Sequence, residues 1–258
     1  AIKSAWILVN NIVQDRIGHE QFGTYMALYS LGFLFIAFAD LGINQYATKS
    51  IAGDQSLMRK LLPDLFGFKI LLSAIYPFFM LGVGWILDYS TTELYYLFIL
   101  CLTQAGIQLF SFFRANFQAF QKFRLDAFAS VLDRALLLGI IAYLLATKIS
   151  FESYIFATFL SVGLTMIILY FTLVKVVGWV IPRIHFSKLR GIVKQAFPFA
   201  IITILYSIHD KVDQVMLERM LPEPNGAHET GLYAGAYRWV DAVSMYLWTV
   251  LPIFFARF

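Results

Sequence analysis

Long apolar runs separated by short polar connections set the pattern of this chain. Eight runs stand out, at 1–14, 22–48, 63–87, 94–120, 127–146, 153–177, 196–220 and 231–256. About 20 apolar residues in a helix cross the hydrocarbon core of a bilayer. The pattern therefore predicts an all-α, polytopic transmembrane helix bundle. Pro63, Pro77, Pro198 and Pro252 fall inside these runs or near their ends, where a membrane helix tolerates proline better than a soluble one does.

The connections between runs fix an orientation. Those at 49–60, 114–124 and 175–194 contain eleven lysines and arginines, whereas the alternate connections contain only Arg16, Lys148 and Arg219. Positive charge accumulates on the cytoplasmic side, so the first set is expected there and the first span runs outward. Trp85, Tyr89, Tyr95 and Tyr96 bracket one outer turn, as interfacial aromatics do. The longest connection, 178–195, carries Ile184, Leu189, Ile192 and Val193 among basic residues. It reads equally as an amphipathic helix on anionic lipid or as a loop made basic by the orientation rule alone. Either way it divides the chain into a first lobe of six spans (1–177), a linker (178–195) and the opening pair of a second lobe (196–258).

Composition narrows the class. Of the 258 residues, 60% are hydrophobic and 14% charged, against nearly half and a quarter in soluble domains. The net charge of +4 sits in loops on one side, so no nucleic-acid groove is expected. Cys101 is the single cysteine, which rules out a disulfide framework and a thiolate metal site. No His-Glu-x-x-His or Walker motif occurs, so no catalytic group, metal or cofactor is expected. Gly82 and Gly84 stand inside a span and do not read as a nucleotide loop. Apolar sequence is already under way at Ala1 and still running at Phe258, which predicts a fragment with a truncated first span and a missing C-terminal part.

An internal repeat is visible. "FGTYMALYS" (22–30) opens the second run and "TGLYAGAYR" (230–238) opens the eighth. Gly23, Tyr25 and Tyr29 align with Gly231, Tyr233 and Tyr237, 208 positions later. Six spans lie between the copies, and an even number preserves orientation, so the repeat predicts two lobes related by an axis along the membrane normal. Gly231 and Gly235 also form a Gly-x-x-x-Gly pair, suited to close helix packing.

These residues carry a family resemblance. "RIGHEQFGTYMALYSLGFLFIAFADLGINQYATKS" (16–50) resembles the amino-terminal signature of polysaccharide flippases of the MOP superfamily, in Arg16, Phe22-Gly23-x-Tyr25 and Asp40-Leu41-Gly42. "IHDKVDQVML" (208–217) and the second Gly-x-Tyr segment look like the start of that family's second lobe. The resemblance implies a MOP/MATE-like fold and a Wzx-type protein that flips undecaprenyl-pyrophosphate-linked oligosaccharide, an O-antigen or exopolysaccharide unit of lipopolysaccharide biosynthesis, across the bacterial inner membrane. Lipid II flippases and multidrug exporters of the superfamily follow, since their signatures fit "FGTYMALYS" less well. A membrane-embedded glycan polymerase or ligase, which needs a long outer loop with catalytic groups, ranks last because every outer connection here is short.

Charges inside the spans supply candidate sites, because each costs at least about 2.5–3.5 kcal/mol at the bilayer centre unless it meets a partner or water. Asp210, Lys211 and Asp213 lie roughly 10–15 Å from the outer end of the seventh span, and Arg238 and Asp241 lie at a similar depth on the eighth. They form either an ion-pair network that fixes the hairpin or a wet site. In the second case Lys211 and Arg238 touch substrate, and Asp210, Asp213 and Asp241 couple to H+ or Na+. His209 beside them is expected to be packing. A second layer comprises Asp40, Lys69, Arg114, Asp133 and Arg134, with Asp40 a further ion-coupling candidate and Arg114 and Arg134 substrate-binding candidates. Lys69 is expected to snorkel to the headgroups. The resemblance, and not position, makes Arg16 a candidate for contacting diphosphate. Gln104 and Gln108, four apart and so on one helix face, read as interhelical glue or as sugar-binding donors. Expected partners are thus the lipid-linked oligosaccharide, membrane lipid and a coupling cation.

Overall fold

The computed structural model describes residues 2–51, 55–221, 225–237 and 239–240, and among these every regular element is helical. In chain order they are α1 (Ile2–Ile17), α2 (His19–Leu34), α3 (Ala37–Asp40), α4 (Ile43–Ile51), α5 (Gln55–Ile86), α6 (Thr91–Ala119), α7 (Phe123–Ala146), α8 (Phe151–Val177) and α9 (Phe186–Met220). A further helical stretch covers 225–237. Five segments are long and apolar enough to cross a membrane, namely Lys60–Ile86, Thr91–Gln118, Phe123–Ala146, Phe151–Val177 and Arg190–Met220. They coincide with the third to seventh runs of the sequence, and the polytopic helix bundle is as expected.

Local chemistry sets the helix starts. Ser90 accepts from the Glu93 N–H at 3.3 Å while the Glu93 carboxylate accepts from the Ser90 N–H at 2.8 Å, a reciprocal cap on two otherwise orphaned donors. Ser150 and Ser153 repeat it at the start of α8. Pro63 and Pro77 stand inside α5, and Pro198 inside α9.

The second run departs from expectation. Residues 22–48 do not form one span: α2 ends at Leu34, α3 is a single turn, and the chain turns left-handed at Leu41 (φ 47°) and Gly42 (φ 75°) before α4. The physical reason is α9. A Cβ on Gly42 would lie 2.8 Å from both the Ala200 nitrogen and the Phe199 Cβ, so the break and the bare glycine let α9 pass against the chain at this point.

The connection 178–195 also differs from both readings given above. Residues 178–185 are non-helical, whereas the basic stretch from Phe186 onward is the opening of α9. The non-helical part lies against α5: the Arg183 N–H donates to the Pro63 carbonyl at 2.9 Å, and His185 Nδ1 stands 2.5 Å from the buried Asp64 carboxylate. Ile192 faces protein and not lipid, being buried in the core.

Packing divides into two clusters. Val13, Phe22, Leu28, Leu31, Leu97, Leu100 and Ile155 join α1, α2, α6 and α8 toward one end, and Ile43, Leu65, Phe112, Phe117, Leu169 and Ala196 join α4, α5, α6, α8 and α9 toward the other. The closest pairings are α5 with α6, α6 with α8, α2 with α9 and α7 with α8. Large apolar side chains such as Phe78, Trp85, Tyr143, Phe171 and Ile202 point outward, which suits a bundle whose solvent is lipid.

Candidate functional site

The interior charges fall into two kinds. Asp40 sits in the break between α3 and α4, accepts from the Asn44 N–H at 3.3 Å and is ion-paired to Lys69. Lys69 is fully buried, so it does not snorkel. With a carboxylate one helix away, pairing replaces the route to the headgroups, and two buried charges are tolerated when each neutralises the other. Arg114 Nε pairs with Asp126 Oδ1 at 2.6 Å, and Gln118 Nε2 donates to the other carboxylate oxygen at 2.9 Å, stitching the end of α6 to the start of α7. The amides are glue. Gln104 donates to the Tyr29 carbonyl at 2.7 Å and accepts from the Tyr76 hydroxyl at 2.7 Å. Gln108 accepts from Asn44 Nδ2 at 3.1 Å.

The second kind is less tightly held and lies around α2, α7 and α9. Lys211 Nζ is 3.2 Å from Asp210 and stands 5.4 Å from the centre of the Tyr237 ring. Asp213 accepts from the Tyr233 hydroxyl. On α7, Arg134 Nε lies 3.6 Å from its neighbour Asp133, with 42% of the side chain exposed. Neutral hydrogen bonds hold α9 to α2: Ser30 Oγ donates to Gln214 at 2.6 Å, and Ser207 Oγ to the Leu34 carbonyl at 3.1 Å. Arg16 is exposed at the end of α1, and His209 is exposed on α9. Arg238 and Asp241 lie outside the described residues.

The repeat has a structural counterpart. A Cβ on Gly23 would run into the Ala227 carbonyl, and a Cβ on Gly231 would run into the His19 carbonyl. Each obstacle lies one turn before the partner glycine, so the contact is reciprocal. Gln14 Nε2 donates to the Gly231 carbonyl at 3.0 Å, and the His19 and His228 rings meet edge-on at 5.9 Å. Nearby, the Tyr89 hydroxyl donates to Glu218 at 2.9 Å beneath the Arg219 guanidinium, 3.8 Å above the ring. Burial, then the Glu218 charge and hydrogen bond, push the Tyr89 phenol well above its ordinary value, so it remains a donor. Sequence reasoning missed Gln14, Ser30, Gln214 and Tyr154. The signal was present, since polar groups in apolar runs need partners, but nothing in the sequence names those partners.

A family model described as "Polysaccharide biosynthesis protein" matches residues 5–254. The chain belongs to the polysaccharide biosynthesis protein family. No curated protein and no solved structure gives a significant match. Membership of the family, with five membrane-capable helices, makes this a multi-pass membrane protein of polysaccharide biosynthesis. Its fold suits a transporter, and family and helices together fit interaction with lipid-linked saccharide and with membrane lipid.

Proposed function

We propose that this chain is a flippase of the Wzx type within the MOP superfamily. Its cargo is undecaprenyl-pyrophosphate-linked oligosaccharide, its site the bacterial inner membrane, and its mechanism alternating access between two lobes. The observation that carries the reading is a buried base inside a span, Lys211, held 3.2 Å from the neighbouring Asp210, in a chain of this family. The Lys211–Asp210 ion pair lies within one helix, so its two charges join no pair of helices to each other. Its value lies in holding a cation ready in a low-dielectric region. A diphosphate offers more charge and more acceptor oxygens than one carboxylate, so it displaces the aspartates from Arg134 and Lys211. Departure of the head group returns each base to its aspartate. The polyprenyl tail stays in lipid while the polar head crosses.

Within this proposal Asp210 and Asp213 are the coupling groups, because a carboxylate at this depth takes up a proton or a cation more readily than it stays bare. Arg16 contacts the diphosphate at the end of α1. Asp40, Arg114, Gln104 and Gln108 serve structure, being held by Lys69, Asp126, Tyr76 and Asn44.

The test is export of surface glycan in cells lacking their own flippase. Arg134→Ala and Lys211→Ala are each expected to lower export at least 10-fold at equal protein level, and Arg134→Lys to retain most of it. Wild-type export by the Arg134→Ala/Lys211→Ala double variant would overturn the reading.

A further inference from the structure

The segment that joins α8 to α9 is fastened to the bundle on one side and open on the other. Val180 is buried in the core cluster that also holds Ile192 and Ala196 of α9. The Arg183 N–H donates to the Pro63 carbonyl at 2.9 Å, a Cβ on Gly67 would run into the Arg183 carbonyl, and His185 stands against Asp64. Pro63 and Gly67 lie three and seven residues inside the membrane-capable part of α5, which begins at Lys60. The segment therefore crosses α5 about 5–10 Å inside that end, at headgroup depth and not out in the aqueous phase. On either side of Val180, Trp179 is 76% and Ile181 68% exposed, and Ile184 is exposed as well. Lys175 in the last turn of α8, Arg183 in the segment, and Arg190 and Lys194 near the start of α9 are exposed too. No acidic residue occurs between Glu152 and Asp210, and Asp64, which α5 brings to the segment, is buried and engaged by His185.

We propose that this strap is a seat for anionic phospholipid of the surrounding bilayer, selected by the bases at 175, 183, 190 and 194 and anchored by Trp179 and Ile181. The orientation rule asks only for bases on one side of the membrane, and any loop that carries them satisfies it. It does not call for a backbone pinned to α5, nor for large apolar side chains presented beside the bases. Those two features suit a lipid. An indole settles at the level of the headgroups, isoleucine enters the acyl-chain boundary, and guanidinium and ammonium groups meet the headgroup phosphates. Arg190 and Lys194 are four apart and share one face of α9. With Val180 and the Arg183 backbone already held by protein, little ordering is left for the lipid to drive. Basic side chains with no acid between 152 and 210 leave the strap one sign of charge, complementary to an anionic headgroup and not to a zwitterionic one. The seat stands whether or not the chain moves a lipid-linked cargo.

The experiment is tryptophan quenching by brominated lipid, on the full chain in phosphatidylcholine nanodiscs. Brominated phosphatidylglycerol is compared with brominated phosphatidylcholine at equal bromine content, and the Trp179 signal is the part of the quenching that Trp179→Phe removes. Phosphatidylglycerol is expected to quench that part at least 2-fold more than phosphatidylcholine does. The preference should vanish in about 1 M salt, where the Debye length falls to about 3 Å, and in Lys175→Gln/Arg183→Gln/Arg190→Gln/Lys194→Gln. Arg183→Lys/Arg190→Lys, which keeps the charge, should retain it. Equal quenching of Trp179 by the two lipids would overturn the seat, since the strap would then touch lipid without selecting a headgroup. So would quenching by neither lipid, which would mean that protein or water covers the strap. A preference that survives both high salt and removal of the four charges would overturn the assignment to these bases. The comparison of lipids in wild type decides the matter even if the four-fold variant fails to fold.

Discussion

Lys69 and Arg134 are interior bases in different surroundings, one fully buried and one partly exposed. Lys69 is sealed against Asp40, and removing one member of a buried pair leaves an uncompensated charge at a cost of about 3–5 kcal/mol. Lys69→Met is therefore expected to lower the thermal midpoint of the detergent-solubilised protein sharply, and Asp40→Leu added to it to recover most of the loss. Full stability of Lys69→Met alone would contradict the pairing. Arg134 is partly exposed, so Arg134→Ala should lower the midpoint less than Lys69→Met does while export falls. Sequence made the presence of interior charge plain, because apolar runs do not hide a lysine. It did not disclose the pairing, since Asp40 and Lys69 come from different helices and depth along a span gives no azimuth.

At the scale of helices, the bundle turns on positions with no side chain. Hydropathy is blind to φ, so the break at Leu41–Gly42 was illegible within an unbroken apolar run. The Gly23–Gly231 contact was half legible: the repeated Gly-x-Tyr pattern marked both glycines, but only the fold shows that each faces the helix of the other copy. Gly231→Val is expected to force the two helix starts apart. The measurement is oxidative cross-linking of His19→Cys with His228→Cys, in a chain whose buried Cys101 is changed to serine. The pair should cross-link efficiently with Gly231 in place and at least 5-fold less with valine. Equal yields would show that the crossing is not tight. Gly42→Val should cost more stability than Gly231→Val, because it adds backbone strain at positive φ to the collision with α9.

For the molecule as a whole, α9 is held to the first part of the chain along its length, at Gly42, Leu34 and Ser30, with further contacts flanking both ends. Near its start, the Arg183 and His185 contacts hold the preceding segment to α5; near its finish, Glu218 and Arg219 clasp Tyr89. Within the transport proposal, the second contact and the glycine crossing must open when access is exchanged, while the first stays as a pivot. Locking the His19→Cys/His228→Cys pair should then stop export, and reduction should restore it. The polytopic class and the family were legible from pattern and motif because both rest on linear sequence. The pairing of Asp40 with Lys69 and of Arg114 with Asp126 was not, because it rests on three-dimensional structure. The account's central claim is tested most directly in proteoliposomes holding the purified chain and a fluorescent undecaprenyl-diphosphate oligosaccharide, scored by the fraction of lipid reached by an external glycosidase. The account predicts that wild type moves the inner-leaflet lipid to the outer leaflet and that Arg134→Ala/Lys211→Ala does not. Movement at the protein-free rate with wild type, or at the wild-type rate with the double variant, would contradict it.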